Sequence, residues 1–277
     1  MILKCPACHQ VLKPLADDVG RTLRCDSNHS YDFAKEGYIN LLLAQKKSSK
    51  NPGDDNAMMQ CRQSFLNRGY YQFLVAALAE FLKQYQPHTV LDVGCGEGYY
   101  GNALKQQAPQ IKLLGFDIAK GGVKLAAKRR IYDQLAVASA YDIPVMSETI
   151  DLALSIFSPL DDKELARVLT PKGILIAVGP ATNHLKALAE HVYDQFKPHQ
   201  NGFAILDKSP LFENIDTLQI EQESTITGED IFNLLTMTPY YWSASEEKQL
   251  AIKKLATLTT PLAFQIKLYQ RISNKSA

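Results

Sequence analysis

Hydrophobic residues recur along the chain in short apolar runs, separated by segments with helical spacing. The runs are rich in Val, Leu and Ile, a composition typical of strands buried on both faces. Five such runs come first, at 90–93, 112–117, 134–139, from Ile150 onward, and at 174–178. Two later stretches, 218–225 and 262–272, alternate apolar and polar residues as antiparallel strands do. The pattern predicts an α/β domain with a seven-stranded, mostly parallel sheet and helices on both faces.

Three glycines directly follow the first of these runs. Gly94, Gly96 and Gly98 separate the strand from a helical segment at 99–108. Glycine can turn with a positive φ and lets a ligand approach the backbone, where a side chain would clash. A strand, a glycine turn and a helix N-terminus in this order are typical of a nucleotide site at the carboxyl edge of a parallel sheet. The alternative is an ordinary turn that binds nothing.

The charges around this turn favour one kind of nucleotide. The spacing Gly-x-Gly-x-Gly is tighter than the dinucleotide pattern Gly-x-Gly-x-x-Gly. Glu97 within the turn would repel a pyrophosphate but suits the ammonium group of S-adenosylmethionine (SAM). Asp117, at the end of the second run, is placed to hold ribose hydroxyls. The turn resembles motif I of class I SAM-dependent methyltransferases, and this resemblance implies their Rossmann-like fold.

Potential zinc ligands are concentrated near the N-terminus. Cys5-x2-Cys8 is followed by Cys25-x3-His29, and these thiolates and this imidazole can fill a tetrahedral shell. With no open position the ion would be structural, and it would supply much of the folding energy of so small a module. His9 competes as a ligand, but its place next to Cys8 favours a surface role. The alternative is a set of free thiols without metal.

A connecting region follows this module. Its first part, up to Leu43, mixes aromatic and apolar residues and is expected to pack the module onto the main domain. Residues 45–55 are polar, contain a Pro-Gly turn and are interpreted as a mobile loop or linker. We therefore predict a zinc-binding module at 1–36, a connecting segment and linker at 37–57, and a methyltransferase domain at 58–277.

Several motifs, in order, resemble the bacterial 23S rRNA (guanine-N1)-methyltransferases. They are Cys5-Pro6-x-Cys8-His9-Gln10, the segment 34–42, Pro52-Gly53-Asp54, Met58-Met59-Gln60 and the segment 94–100. The similarity runs nearly from end to end. Motif I is shared with very many methyltransferases, whereas a zinc knuckle joined to Lys-Glu-Gly-Tyr-x-Asn-Leu-Leu is far more specific.

The resemblance implies a function and a set of site residues. These enzymes methylate N1 of a guanine in a hairpin loop of domain II of 23S rRNA, and a homodimer with a cleft for RNA is implied. The implied ligands of structural zinc are Cys5, Cys8, Cys25 and His29. The implied cofactor contacts are Tyr71, Gly96, Glu97 and His184, to which the motif itself adds Gly94 and Asp117.

Other roles stay open at the level of sequence. Asp161 and Asp162 follow the fourth run and are possible bases for deprotonating guanine N1, but nothing selects them. Phe157 could stack on a guanine or simply fill the core. The adenine contact could be Ser139, the backbone or Asp142.

Composition narrows the class of protein without deciding it. A net charge of +1 does not by itself indicate nucleic acid, and no apolar run has the length of a membrane span. Residues 1–6 lack the layout of a secretory signal, so we expect a cytoplasmic protein. The aromatic stretch 237–242 is interpreted as core packing, with stacking on RNA as the alternative. Two competing functions are a methyltransferase acting on a small molecule and a non-catalytic RNA-binding adaptor.

Overall fold

A computed structural model describes residues 2–15, 21–46, 53–195, 198–199 and 202–272. The strands are β1 (Lys13–Pro14), β2 (Thr22–Arg24), β3 (Ser30–Asp32), β4 (Ile39–Asn40), β5 (Thr89–Val93), β6 (Lys112–Asp117), β7 (Gln134–Val137), β8 (Ile150–Ile156), β9 (Leu169–Pro180), β10 (Phe212–Thr227) and β11 (Thr257–Arg271). The helices are α1 (Asn56–Asn67), α2 (Gln72–Tyr85), α3 (Tyr99–Gln107), α4 (Lys120–Lys128), α5 (Asp162–Val168), α6 (Lys186–Val192), α7 (Ala204–Asp207), α8 (Glu229–Thr236), α9 (Tyr240–Ser243) and α10 (Glu246–Lys253).

The central sheet has eight strands in the order β10-β11-β9-β8-β5-β6-β7-β4. Neighbouring strands from β9 to β4 are parallel, whereas β11 runs antiparallel to both β9 and β10. The seven strands predicted from the sequence are all present. The eighth, β4, comes from the connecting segment, where Ile39 is in register with Ala136. Two residues are too short a stretch to show a strand pattern, which is why the sequence did not predict it.

Each face of the sheet has its own core. Val90 and Leu113 pack in one core with residues of α2, α3, α6 and α8. Their neighbours Leu91 and Leu114 pack in a second core with α5 and α7. This alternation is the period of two of a pleated strand. The predicted α/β class, a mostly parallel sheet with helices on both faces, is confirmed.

The N-terminal module completes the second core. Its small sheet has the order β1-β2-β3, and its buried residues Leu12 and Leu23 lie in the same core as Leu91. A bridge joins Leu3 to Val145, and the backbone N–H of Lys4 donates to Pro144 at 3.0 Å. The module therefore covers a face of the sheet and shares its core. The domain boundaries after residues 36 and 57 stay a prediction.

The segment that the sequence assigned to a linker ends against the main domain. Residues 47–52 lie outside the described part of the chain. A Cβ added at Gly53, where φ is +85°, would lie 2.8 Å from the Cβ of Ala119. The next residue, Asp54, forms an ion pair of 2.6 Å with Arg62. Close packing thus fixes residues 53 and 54 beside α4. Among the described residues, no helix combines the length and apolar character needed to cross a membrane.

We expect Lys4→Met to weaken the attachment of the module. Lys4 Nζ lies 2.8 Å from Asp142 and its side chain is only 8% exposed, so the variant leaves a half-buried carboxylate without its nearest cation. The free energy of unfolding, measured by urea denaturation of zinc-loaded protein, should fall by about 1–3 kcal/mol.

The matched control is Lys13→Met. Lys13 pairs with Asp26 at 2.9 Å, but the two side chains are 59% and 68% exposed. Exposed pairs contribute little, so this variant should change stability by less than about 0.5 kcal/mol. Equal changes in the free energy of unfolding for the two variants would show that the Lys4–Asp142 pair contributes no more than an exposed pair.

Candidate functional site

The glycine turn after β5 is held by close contacts on both sides. Gly94, Gly96 and Gly98 have φ values of 69°, 54° and 82°. A Cβ at Gly94 would lie 2.5 Å from the Cβ of Ser158, so only glycine fits there. Asp117 at the end of β6 accepts hydrogen bonds from the backbone N–H groups of Gly96, at 2.9 Å, and of Ala119, at 2.7 Å. The acidic side chain therefore fixes the shape of the turn.

A cavity of about 960 Å³ opens at this carboxyl edge of the sheet. The turn forms one wall, and the ends of β8 and β9 form another. The six residues predicted to bind the cofactor all line it: Tyr71, Gly94, Gly96, Glu97, Asp117 and His184. A volume of this size accommodates a nucleoside-sized ligand together with part of a second molecule.

Glu97 places a buried carboxylate in the wall of this cavity. Its side chain is 1% exposed and forms an ion pair with Arg129, whose Nε also donates to the backbone oxygen of Glu97 at 2.9 Å. Gln63 Nε2 lies 3.5 Å from the same carboxylate oxygen, Oε2. Oε1 has no hydrogen-bond partner among the described residues. A buried acceptor without a partner is costly, so this oxygen fits the cationic group of a ligand.

Asp92 is a second buried carboxyl at the cavity, and sequence reasoning gave it no role. It lies within β5, where it accepts a hydrogen bond of 2.7 Å from the Tyr132 hydroxyl. Burial raises the pKa of Asp92 to about 7, and the nearby charges of Asp117 and Glu97 act in the same direction. An acidic residue inside an apolar strand was the signal that could have identified it. Asp92, Glu97 and Asp117 thus place three carboxyl groups in the lining of one cavity.

Aromatic residues and a histidine form the opposite wall. Burial, with His199 nearby, lowers the pKa of His184 to about 3, so its imidazole is neutral. The Nδ1 atom accepts a hydrogen bond of 3.2 Å from the backbone N–H of Ala263, which leaves the proton on Nε2. Tyr71, at the break between α1 and α2, is buried and packs edge-on against Phe264 with ring centroids 4.8 Å apart.

Phe157 stands at the edge of this wall in a strained conformation. It follows β8 directly, its φ is +54°, and its side chain is 46% exposed. Its ring stacks on that of His184 with centroids 6.1 Å apart. A positive φ is unfavourable for a bulky residue, by about 1–3 kcal/mol, so the surrounding structure must hold Phe157 in this conformation.

The structure shows which of the other candidate site residues line the cavity and which do not. Asp161 caps α5 by accepting from the backbone N–H of Glu164, and Asp162 accepts from the Ser209 hydroxyl. Neither lines the cavity, so their position gives no support to a role as base. Ser139 does line it, whereas Asp142 pairs with Lys4 of the N-terminal module.

The four cysteine and histidine ligands predicted for zinc come together in the N-terminal module. The ligand atoms of Cys5, Cys8, Cys25 and His29 all lie within 4.8 Å of one another. Cys25 Sγ is 3.5 Å from Cys8 Sγ and 3.4 Å from His29 Nδ1. Zinc–ligand bonds of 2.0–2.3 Å in a tetrahedron give separations of about 3.3–3.8 Å, so the group fits zinc. His9 is exposed and lies outside this group.

A tyrosine outside the group of four ligands also contacts one of them. The Tyr31 hydroxyl lies 3.5 Å from Cys5 Sγ, and burial raises the pKa of that tyrosine, so it stays protonated and can donate to the thiolate.

Comparisons with known proteins agree with both parts of this arrangement. The zinc-ribbon family described as "RlmA, N-terminal" matches residues 3–50, and a family described as "Methyltransferase domain" matches residues 90–173. A solved structure reported for the conversion of a disulfide bond into a thioacetal group in echinomycin biosynthesis has a TM-score of 0.50 and 13% identity. It covers 72% of this chain and 83% of that one, and it shows the fold alone. The chain is thus a methyltransferase with the class I fold and an N-terminal zinc ribbon.

Two relatives match along most of their length. The 23S rRNA (guanine(748)-N(1))-methyltransferase of Streptomyces fradiae is 28% identical over 246 residues, which cover 87% of this chain and 85% of the relative. The YxjB protein of Bacillus subtilis, whose provisional name gives 23S rRNA (guanine-N(1)-)-methyltransferase, is 28% identical over 265 residues, or 92% of each chain. The chain is a homologue of the 23S rRNA (guanine-N1)-methyltransferases, as the sequence resemblance predicts.

We expect Cys25→Ser to abolish zinc binding. The variant removes one of four ligands from a closed shell, and without the ion the small module loses much of its folding energy. Metal analysis of the purified protein should find about one zinc per chain in the wild type and far less in the variant. Cys61→Ser is the control, since Cys61 lies outside the ligand group and should leave the metal content unchanged. Equal zinc content in both variants would contradict the ligand assignment.

Proposed function

We propose that this protein transfers the methyl group of SAM to N1 of a guanine in a hairpin loop of domain II of 23S rRNA. The observation that carries the proposal is the homology along most of the chain, which includes both the zinc ribbon and the methyltransferase domain. A methyltransferase for a small molecule needs only the second of these parts. We also propose a cytoplasmic homodimer, on the basis of the family resemblance.

The cavity provides groups of the right chemistry for SAM. Glu97 Oε1 would accept from the ammonium group, because it is buried, charged and without a partner among the described residues. Gly94 and Gly96 let the ligand approach the backbone. Asp117 already accepts two backbone hydrogen bonds, but a carboxylate has further lone pairs that can accept from ribose hydroxyls. Tyr71 and His184 would close the apolar side.

When bound, SAM supplies an electrophilic methyl group on a positively charged sulfur. The protein must hold guanine N1 in line with that methyl and exclude water. Phe157 is suited to hold the base, since its exposed ring lies at the cavity edge and is backed by His184. His184 is neutral and carries its proton on Nε2, so it can donate a hydrogen bond but adds no positive charge beside the sulfonium.

Reaching this cavity requires the guanine to leave its stack. The glycine turn lines one side of the cavity and aromatic residues line the other, and a guanine paired in a duplex cannot present N1 to it, because N1 is hydrogen-bonded to the partner base. A hairpin loop meets this requirement, because its bases are unpaired and can be splayed outward. The zinc ribbon, packed against the same domain, would hold the surrounding RNA by its shape.

Glu97→Gln should weaken SAM binding by about 10- to 100-fold. The substitution keeps the size of the side chain but removes the charge that would meet the ammonium group, a loss of about 1.5–3 kcal/mol. Isothermal titration of zinc-loaded protein measures the change. Methylthioadenosine, which lacks the amino-acid portion of SAM, should bind both proteins equally, and Glu223→Gln, at an exposed position of β10, should change neither affinity. A parallel loss for both ligands would place the effect in the fold and not at the ammonium site.

Incubation with SAM and 23S rRNA that lacks the modification should produce N1-methylguanine at one position in domain II, located by mass spectrometry of RNA fragments. Gly94→Ala should abolish the product, because the added Cβ collides with Ser158. Methylation of metabolites but not of RNA would favour the small-molecule enzyme. Failure of wild-type, metal-loaded protein to bind SAM would favour the non-catalytic adaptor.

A further inference from the structure

Exposed aromatic side chains concentrate around one cavity. Among the described residues, eight large hydrophobic side chains are exposed: Tyr141, Phe157, Ile205, Ile215, Leu218, Trp242, Leu250 and Ile272. The three aromatic ones line the candidate cofactor cavity, whereas none of the five aliphatic ones does. Tyr141 and Trp242 are the most exposed of the set, at 66% and 67%. Chance placement on a surface gives no reason for this division between aromatic and aliphatic residues.

Tyr141 is presented by a short, braced turn. Its backbone N–H donates to the Ser139 hydroxyl at 3.2 Å, and the backbone N–H of Asp142 donates to the Ser139 carbonyl at 3.1 Å. Asp142 is in turn held by Lys4 of the zinc ribbon. The backbone under the ring is therefore fixed on both sides, while the ring itself stays open to solvent.

Trp242 is presented in a similar way by α9. Its backbone N–H donates to the Pro239 carbonyl at 3.2 Å, and its ring rests edge-on against Tyr241 with centroids 5.2 Å apart. Gln249 Nε2 donates to the carbonyls of Tyr241 and Ala244, which ties the following turn to α10. The sequence interpretation of this stretch as core packing holds for the buried Tyr240 but is wrong for Trp242.

A positive strip lies close to the same opening. Lys120, Lys124 and Lys128 are spaced four residues apart on α4 and are all exposed. The helix begins beside the cavity, because Ile118 lines it and a Cβ at Gly122 would lie 2.9 Å from the carbonyl oxygen of Gly96. Aromatic faces combined with a line of cations are the usual surface for unpaired nucleic acid.

We propose that Tyr141 and Trp242 are stacking platforms for the unpaired bases next to the methylated guanine. The proposal rests on the proposed function and names two further positioning residues for its substrate. One base enters the cavity, and its neighbours, which lose their own stacking when it leaves, find replacement surfaces on the two rings. This explains why rings are exposed where an aliphatic side chain would offer no flat π face.

The sole tryptophan of the chain provides a direct test. Stacking of a base on an indole quenches its fluorescence. Titration of zinc-loaded protein with a synthetic domain II hairpin should therefore quench the emission of Trp242, while a fully paired duplex of the same composition should quench it far less. Unchanged emission on a hairpin that binds, as shown by gel shift, would overturn the proposal for Trp242.

Variants measure the contribution of each ring. Trp242→Ala and Tyr141→Ala should each weaken hairpin binding by about 5- to 150-fold and leave SAM affinity unchanged, since one lost stacking contact has that weight. Trp242→Phe should restore most of the affinity. Leu250→Ala, which removes a side chain that is exposed but outside the cavity, is the control and should bind like the wild type.

The remaining outcomes separate this proposal from the proposed function. If both alanine variants methylate and bind 23S rRNA like the wild type, the stacking role is wrong while the function stands. If the variants lose SAM affinity in place of RNA affinity, the rings belong to the cofactor and the proposal is again overturned. If the wild type neither binds nor methylates the RNA, the proposed function fails, and the stacking role fails with it.

Discussion

The carboxyl edge of β5 and β6 brings three carboxyl groups together around one glycine turn. Asp92, Glu97 and Asp117 line one cavity, and burial raises the pKa of Asp92 and of Asp117. Burying a carboxylate is costly unless it is paired or hydrogen-bonded. The structure offsets this cost unequally: Asp117 receives backbone N–H groups, Asp92 receives a tyrosine hydroxyl, and Glu97 receives one arginine. Glu97 Oε1 has no hydrogen-bond partner in the part of the chain that the structure describes. A cationic ligand is the simplest completion of such a site, and the local fold is arranged around that requirement.

The hydrogen bond from Tyr132 to Asp92 at this edge also accounts for the glycines that surround the tyrosine ring. Tyr132 must reach Asp92, and a Cβ at Gly101 or Gly115 would lie 2.3 Å or 2.5 Å from atoms of its side chain. A Cβ at Gly98 would lie 3.2 Å from the same ring. Gly101 and Gly115, which lie outside the glycine turn, are therefore part of the site. They leave space for Tyr132, whose hydroxyl donates a hydrogen bond to the buried Asp92.

The sequence predicted the elements of this fold more completely than the contacts between them. Short apolar runs such as 90–93 and 112–117, separated by helical segments, are typical of parallel strands buried on both faces, so the parallel sheet could be predicted from the pattern. The partners of the charged residues did not, because Arg129 and Glu97 lie 32 residues apart and no local spacing links them. The positive φ of Phe157 could not be predicted for the same reason, since the backbone N–H of Phe157 donates to the carbonyl of Val178 on another strand. Contacts between residues far apart along the chain were therefore the part of the structure that the sequence alone could not predict.

The zinc ribbon packs against the turn that forms one rim of the cavity. Its residues share a core with the sheet, and Lys4, which adjoins the ligand Cys5, pairs with Asp142 in the turn that carries Tyr141. That turn lines the cavity on its other side through Ser139. The N-terminal module thus supports one rim of the cavity. A zinc ion held by Cys5 would help to order this rim, because the backbone from Leu3 to Lys4 is bonded to residues 144 and 145. The two parts of the chain thus meet at one rim of the cavity, and the relatives match across both parts.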